Sequence, residues 1–446
     1  MVTIITSVSR FTMIILFAIY TYYCFATLKS GVSGESQKHL YHKQALFMIL
    51  LVINANLVLF LGSADLQVLF LLACELIFIA ITMLIYKKIY QKASYAIVNN
   101  MCMLLNLGFI ILTRIDIDKA MRQFVIAVAA LILSCFIPLL IHKLKIWNRL
   151  SVLYAVVGII GLLLVLIFGK YVYGAKLNIT LGAVTIQPSE FIKILFVFFV
   201  ASMLYQATDK RQIIITSGIA AIHVLILVTC RDLGGAGIFF ITYLIMLYVA
   251  TKKIYYIFAG SGLIAIGLVL AYFLFSHVRT RVVAWIDPLS VADKEGYQIC
   301  QSLFAIGTGG WFGSGLYKGM PNKIPVVAQD FVFSAISEEF GAIFALCLIF
   351  VCVSCSLMFF SVAMEINDQF YKLTALGLGT VYSFQVFLTL GGVTKFIPST
   401  GVTLPLISYG GSSLLSTMIL FAVVQGLYVK RNDEGEKNGK RQKSRV

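Results

Sequence analysis

The sequence predicts an all-α polytopic membrane protein, and three observations carry that prediction. Of 446 residues, 60% are hydrophobic and only 12% are charged, against roughly 45–50% and about 25% in soluble domains. Mean hydropathy is +0.95. The apolar residues gather into thirteen stretches, each near the about 20 residues that cross a bilayer. Such a composition excludes a water-soluble enzyme, a disordered chain and a secreted disulfide scaffold.

The first stretch covers 11–28. Arg10 is the only charge before it, and Phe25-Ala-Thr-Leu-Lys29 lacks the small residues of a cleavage site, so a retained helix is expected rather than a signal peptide. Spans follow at 44–62, 67–86, 95–113, 123–141, 152–169, 187–205, 212–229, 234–250, 254–275, 341–360, 372–392 and 405–429. Charge then orients them. The chain carries 35 basic and 19 acidic residues, a net +16, which on a soluble protein would suggest nucleic acid. With the C-terminus placed in the cytoplasm, 21 of the basic residues fall on inner segments, 13 on outer ones, and Lys193 inside a span. This is the bias expected of a multi-pass protein. It puts Met1 outside and leaves no role for nucleic acid.

Seven of the nine cysteines, Cys24, Cys74, Cys102, Cys135, Cys347, Cys352 and Cys355, lie in apolar stretches, where thiols behave as small hydrophobes. The five histidines are scattered, and no metal-ligand spacing occurs. The tail from Lys430 to Val446 is charged and aperiodic and is expected to be disordered, with anionic lipid headgroups as a contact.

One connection is long. Residues 276–340 run outside between spans and hold Trp285, Trp311, Phe312, Tyr317 and Phe331 beside a glycine series from Gly307 to Gly319, a composition that argues for an ordered, functional loop. Arg279 and Arg281 open the loop, Lys318 lies within it, and Asp330 comes near its end. Arginines suit phosphate and a carboxylate suits proton transfer. The spacing alone equally allows Asp330 as a helix cap and the arginines as interface anchors. Within a span, Glu190 and Lys193 are three apart and share a helix face, either as a structural ion pair or as a functional intramembrane pair. Arg231-Asp232 reads as a satisfied turn. The stretch from Pro398 to Ser413 has two prolines and three glycines. It cannot be a regular helix throughout and points to a re-entrant or cavity-lining element with Ser408, Ser412 and Ser413 as hydroxyls.

These pieces resemble the SEDS family (shape, elongation, division and sporulation: the RodA, FtsW and SpoVE proteins). QPSEFIK at 187–193, DLGGAG at 232–237, RTRVVAWIDP at 279–288, GYQICQSLFAIGTGGWFGSGL at 296–316, DFVFSAISEEFG at 330–341 and IPSTGVTLPLISYGGSS at 397–413 occur in family order. The resemblance implies a ten-helix core over 95–430, with the large extracellular loop between core helices seven and eight, preceded by three additional helices in 1–94 and followed by a basic cytoplasmic tail at 431–446.

It further implies a peptidoglycan glycosyltransferase of the bacterial cytoplasmic membrane that polymerises lipid II beside a class B penicillin-binding transpeptidase. Asp330 matches the family's essential aspartate and would act as general base. Arg279, Arg281, Lys318, Glu190, Lys193 and Ser412 are the expected substrate-binding residues. No built-in cofactor or metal is expected, though a divalent cation on the substrate pyrophosphate fits. A lipid-linked precursor transporter and a non-catalytic scaffold for a transpeptidase are the competing functions. The sequence departs from the family before its aspartate, where Ile324-Pro-Val-Val-Ala-Gln329 replaces Leu-Pro-Glu-Ala-His-Thr. It departs again at Gly174-Ala-Lys-Leu-Asn178, which lacks a tryptophan, and at Cys230-Arg231, which replaces Gln-Pro. Division, elongation and sporulation all stay open.

Overall fold

A backbone in hydrocarbon must satisfy its own hydrogen bonds, and a helix does so within one segment. The computed structural model describes residues 2–29, 34–144, 146–172, 174–182, 184–205 and 209–443. Its helices are α1 (Val2–Ala26), α2 (Gly34–Ser63), α3 (Leu66–Ile89), α4 (Tyr95–Ile115), α5 (Ile117–Lys143), α6 (Ser151–Phe168), α7 (Pro188–Leu204), α8 (Lys210–Thr229), α9 (Leu233–Thr251), α10 (Tyr255–Leu274), α11 (Ser276–Ile286), α12 (Tyr297–Gly309), α13 (Val332–Phe340), α14 (Ala342–Glu365), α15 (Gln369–Val393) and α16 (Gly411–Lys443). Twelve of them are long and apolar enough to cross a membrane. With the 17-residue α7, they correspond one to one with the thirteen apolar stretches. Aspartates set several of the starts: Asp65, Asp116, Asp209, Asp232 and Asp368 each accept a backbone N–H from the first turn of α3, α5, α8, α9 and α15, the usual means of satisfying orphan donors there.

Three features differ from the sequence expectation. The connection between α6 and α7 forms a small antiparallel sheet, ordered β1 (Lys170–Val172), β2 (Ala175–Leu181) and β3 (Val184–Ile186); these runs are too short to stand out from the apolar spans beside them. The last span starts at Gly411 rather than 405, because the proline-bearing stretch ahead of it stays out of helix. The charged tail is also helical as far as Lys443, where disorder was expected. There α16 extends an already nucleated helix, each added residue gaining a hydrogen bond without a new nucleation cost, and this carries it past Gly435 and Gly439. It is pinned by Asp433, which pairs with Lys92 at 2.7 Å and His142 at 2.5 Å, and by Arg431, which pairs with Glu365 at 3.1 Å. Residues 444–446 lie outside the described residues.

The three N-terminal helices wrap α4. Helix α1 packs on α2 and α14, α2 also on α4, and α3 on α4 and α5, so that the apolar window of α4 is wholly buried. A buried amide network holds the seam. Asn100 Oδ1 accepts from Tyr20 Oη and Gln44 Nε2, both at 2.9 Å. Asn100 Nδ2 donates to Ser354 Oγ at 2.8 Å, and Asn99 Nδ2 to Gln44 Oε1 at 3.0 Å. One asparagine therefore joins α1, α2, α4 and α14. Asn100→Leu would take this partner from Tyr20, Cys24, Gln44 and Ser354, and each buried polar group left unsatisfied costs about 1–3 kcal/mol. Relaxation recovers part of this, and a net loss of about 2–4 kcal/mol is expected in unfolding of the protein from bicelles. A loss under about 0.5 kcal/mol would show that the network does not hold the seam.

Candidate active site

The site is built around the irregular stretch between α15 and α16. Pro398 and Pro405 cannot donate and restrict the residues before them, while Gly401 takes φ +74°. The freed backbone groups find side-chain partners. Ser399 O accepts from Arg281 Nη1 at 3.2 Å, Val402 O from Thr389 Oγ1 at 3.0 Å, and Thr403 O from Gln385 Nε2 at 3.1 Å. Gln123 donates to Ser408 O at 3.1 Å and accepts from Gly410 N at 3.3 Å. Tyr409 N donates to Ala328 O at 2.7 Å, and Ser408 Oγ donates to Gln329 O. The last two bonds fasten the end of the large loop, just before Asp330, onto this stretch.

Asp330 lies in the turn that leads into α13. A Cβ built on Gly401 would sit 3.7 Å from Asp330 Oδ2 and 3.5 Å from Arg281 Nη2, so both charged groups border the same small space. Among the described residues, none hydrogen-bonds the Asp330 carboxylate or pairs with it within 4 Å. Burial pushes this carboxyl up to about 6, against the pull of Arg281. Such a group is ionised at neutral pH yet basic enough to take a proton.

Behind the irregular stretch lies a second polar group. Lys193 Nζ is 2.6 Å from Glu190 Oε2 and 2.8 Å from Gln385 Oε1, and Ser416 Oγ donates to Glu190 Oε2 at 2.9 Å. Gln385 thus holds Lys193 through its oxygen and Thr403 through its nitrogen. Asp232 lies between the two groups electrostatically. It caps α9 through Gly235 N at 2.8 Å. Burial raises its carboxyl to about 6, with Glu190 adding to the rise and Arg281 and Lys193 opposing it.

The other residues singled out from the sequence stand apart. Arg279 is exposed and donates to Phe273 O at 3.3 Å. Two residues on a helix are about 200° apart around its axis, so Arg279 and Arg281 cannot face the same way. Lys318 reaches the N-terminal helices, donating to Ser7 Oγ at 3.1 Å. Ser412 accepts from Gln187 N at 3.0 Å and braces the start of α7. Gln123, Gln385 and Ser416 escaped the sequence reading, although an isolated amide or hydroxyl in an apolar span is itself a signal. Among the described residues, no group of three or more His, Cys, Asp or Glu is placed to hold a metal ion.

Fold and site together define a polytopic membrane protein with an unpaired carboxylate and a guanidinium beside an unwound helix entry, backed by a buried ion pair. The profile of the FtsW/RodA/SpoVE family, described as cell cycle protein, matches residues 95–433, and the chain belongs to that family. It is 38% identical over 270 residues to peptidoglycan glycosyltransferase RodA of Mycobacterium tuberculosis, covering 56% of this chain and 57% of that protein. The match therefore spans little more than half the length of this relative. It is 33% identical over 313 residues to the probable peptidoglycan glycosyltransferase FtsW of Escherichia coli O157:H7, covering 68% of this chain and 75% of that one. The crystal structure of the rod shape determining protein RodA of Thermus thermophilus shares the fold, with a TM-score of 0.57 and 23% identity over 76% of this chain and 97% of that one. A chain from a peptidoglycan synthase complex, described as coordinating polymerization and crosslinking, superposes with a TM-score of 0.64 at 23% identity over 76% of this chain and 98% of that chain. The matched region begins at Tyr95, the first residue of α4, and leaves α1–α3 outside.

The buried pair gives a measurable expectation. Lys193→Met strands the Glu190 carboxylate and is expected to cost about 3–5 kcal/mol. The double variant Glu190→Gln with Lys193→Met should recover most of that loss in the same unfolding assay. Additive losses would show that the two residues do not act as a pair.

Proposed function

We propose that this protein is a peptidoglycan glycosyltransferase that extends glycan strands from lipid II at the outer face of the bacterial cytoplasmic membrane, with its C-terminus in the cytoplasm. The observation that carries the proposal is the Asp330 carboxylate: partly buried, without a hydrogen-bond or ion-pair partner among the described residues, and beside Arg281. A transporter or a scaffold has no need of an unpaired base at the end of the large loop. The names of the mycobacterial and enterobacterial relatives support the same reaction class.

In this mechanism the acceptor sugar hydroxyl lies against Asp330, which takes its proton. The hydroxyl oxygen forms a bond to the donor's anomeric carbon. The bond from that carbon to the pyrophosphate oxygen breaks, and its electron pair leaves with undecaprenyl pyrophosphate. Negative charge grows on the leaving group, and a fixed guanidinium in a water-poor site stabilises such charge strongly. Arg281 is assigned that role. It is held by Ser399 O and needs little reorganisation. Glu190, Lys193 and Asp232 line the substrate's approach. Arg279 and Lys318 serve at the periphery by attracting an anionic lipid. A divalent cation enters only as a companion of the pyrophosphate. Because a chain of the same fold comes from a complex described as coordinating polymerization and crosslinking, a class B penicillin-binding transpeptidase is the proposed partner.

Purified protein supplied with lipid II tests this proposal. Asp330→Asn should lower polymerisation by about 10²–10⁴-fold while leaving the melting temperature near that of the parent; full activity in that variant refutes the mechanism. Arg281→Ala should lower turnover by at least about tenfold, as loss of a charge stabiliser does, whereas Arg279→Ala should stay within about threefold. Equal losses at the two positions would reject the assigned role. The pH profile follows from the raised carboxyl. With Asp330 at about 6, the base is active above that value, so turnover should rise about tenfold per pH unit below it and level off above. A limb centred near 4 instead would place the base elsewhere.

A further inference from the structure

Helices α1–α3 lie outside the family match, yet α1 and α2 touch the large loop at several points. Arg10 Nη1 donates to Gly313 O at 2.9 Å. The rings of Phe11 and Phe312 meet at 5.6 Å. Gly62, in the last turn of α2, has no side chain where the Tyr317 ring lies, and a Cβ there would be 2.4 Å from Tyr317 Cδ2. Arg114 of α4 also lies over that ring, its guanidinium 4.4 Å from the centroid. Arg114 also pairs with Glu339 at 2.7 Å and donates to Gly319 O at 3.1 Å.

The loop segment held in this way is a collar around α13. Ser314 N and Gly315 N donate to Glu338 O and Glu339 O, both at 2.9 Å. Ala342 N donates to Gly310 O at 2.8 Å, and Met320 N to Glu338 Oε1 at 2.9 Å. The collar therefore caps the C-terminal end of α13 and the start of α14. Asp330 precedes the other end of α13, and this helix is entirely buried. A displacement of the collar has only a nine-residue rigid helix between it and the carboxylate.

We propose that helices α1 and α2 of the extension are a built-in brace for the large loop, with Arg10, Gly62 and Tyr317 as positioning residues that fix α13 and so set Asp330 against Arg281. This rests on the glycosyltransferase assignment for its catalytic consequence, and on the contacts alone for its structural one.

The test uses the full chain in nanodiscs, with two readouts. Arg10→Ala and Gly62→Leu should each lower kcat for lipid II polymerisation by about tenfold, since small misplacements at a reacting group cost that much or more. KM should stay within about twofold. Amide exchange over residues 331–340 should quicken by about tenfold, reporting local opening. Arg10→Lys should recover much of the loss, and Tyr317→Phe, which keeps the ring, should behave as the parent. Unchanged exchange in Arg10→Ala at a parental melting temperature overturns the brace, as does faster exchange with unchanged kcat. If the parent protein does not polymerise lipid II, the glycosyltransferase assignment fails by itself, and the exchange of Arg10→Ala still decides whether the brace exists.

Discussion

A non-helical backbone within a membrane protein must find hydrogen-bond partners among side chains, and this constraint organises the whole site. Between Thr394 and Gly410 the chain leaves helix, and four different elements send a group to meet it: Gln123 from α5, Arg281 from α11, Gln385 and Thr389 from α15, and the backbone at Ala328 and Gln329 from the end of the large loop. Each of these bonds is modest alone. Each missing one would leave a buried polar group at a cost of about 1–3 kcal/mol, so the elements are held together by what separation would cost. Asp330 and Arg281 owe their closeness to this stretch, since the turn before the former and the guanidinium of the latter both bond to it.

Charge is distributed with the same economy. Arg281 serves backbone and carboxylate at once, being bonded to Ser399 O and close enough to Asp330 and Asp232 to act on both. Gln385 joins the irregular stretch to Lys193. The two polar groups, one at the loop and one between α7, α15 and α16, therefore form one electrostatic unit with Asp232 between them. A single added or removed charge within it alters the others.

Much of this was legible in the sequence because hydropathy is a strong signal. All thirteen apolar stretches became helices, and the break ahead of α16 was visible in Pro398 and Pro405. The pairing of Glu190 with Lys193 followed from their spacing on a helix. Other features were not legible, for identifiable reasons. Arg279 and Arg281 look equivalent in a loop, but once α11 forms they point to opposite sides. The short strands between α6 and α7 carry too few residues for a periodic signal. The tail read as disordered from composition, yet its helix is set by what precedes it and by Asp433 reaching Lys92 and His142, contacts more than 290 residues apart in sequence. Asp232 was read as a local turn and does cap α9, but only the fold shows it between two charged groups.

The complete enclosure of α4 has a consequence for how the protein is made. This helix carries Asn99, Asn100 and Asn106, and its hydropathy of 1.8 is well below the 2.8 of α3. Asn106 donates to Cys102 O within the helix itself, but alone in lipid Asn99 and Asn100 would lose the partners that other helices supply. The helices that supply them, with Tyr20 and Gln44, leave the ribosome first. When α4 enters the bilayer, a matching polar surface is already there to receive it, and only Ser354 of α14 remains to be added later. The order of the chain thus turns the extension into a receiving cradle for the first helix of the family core.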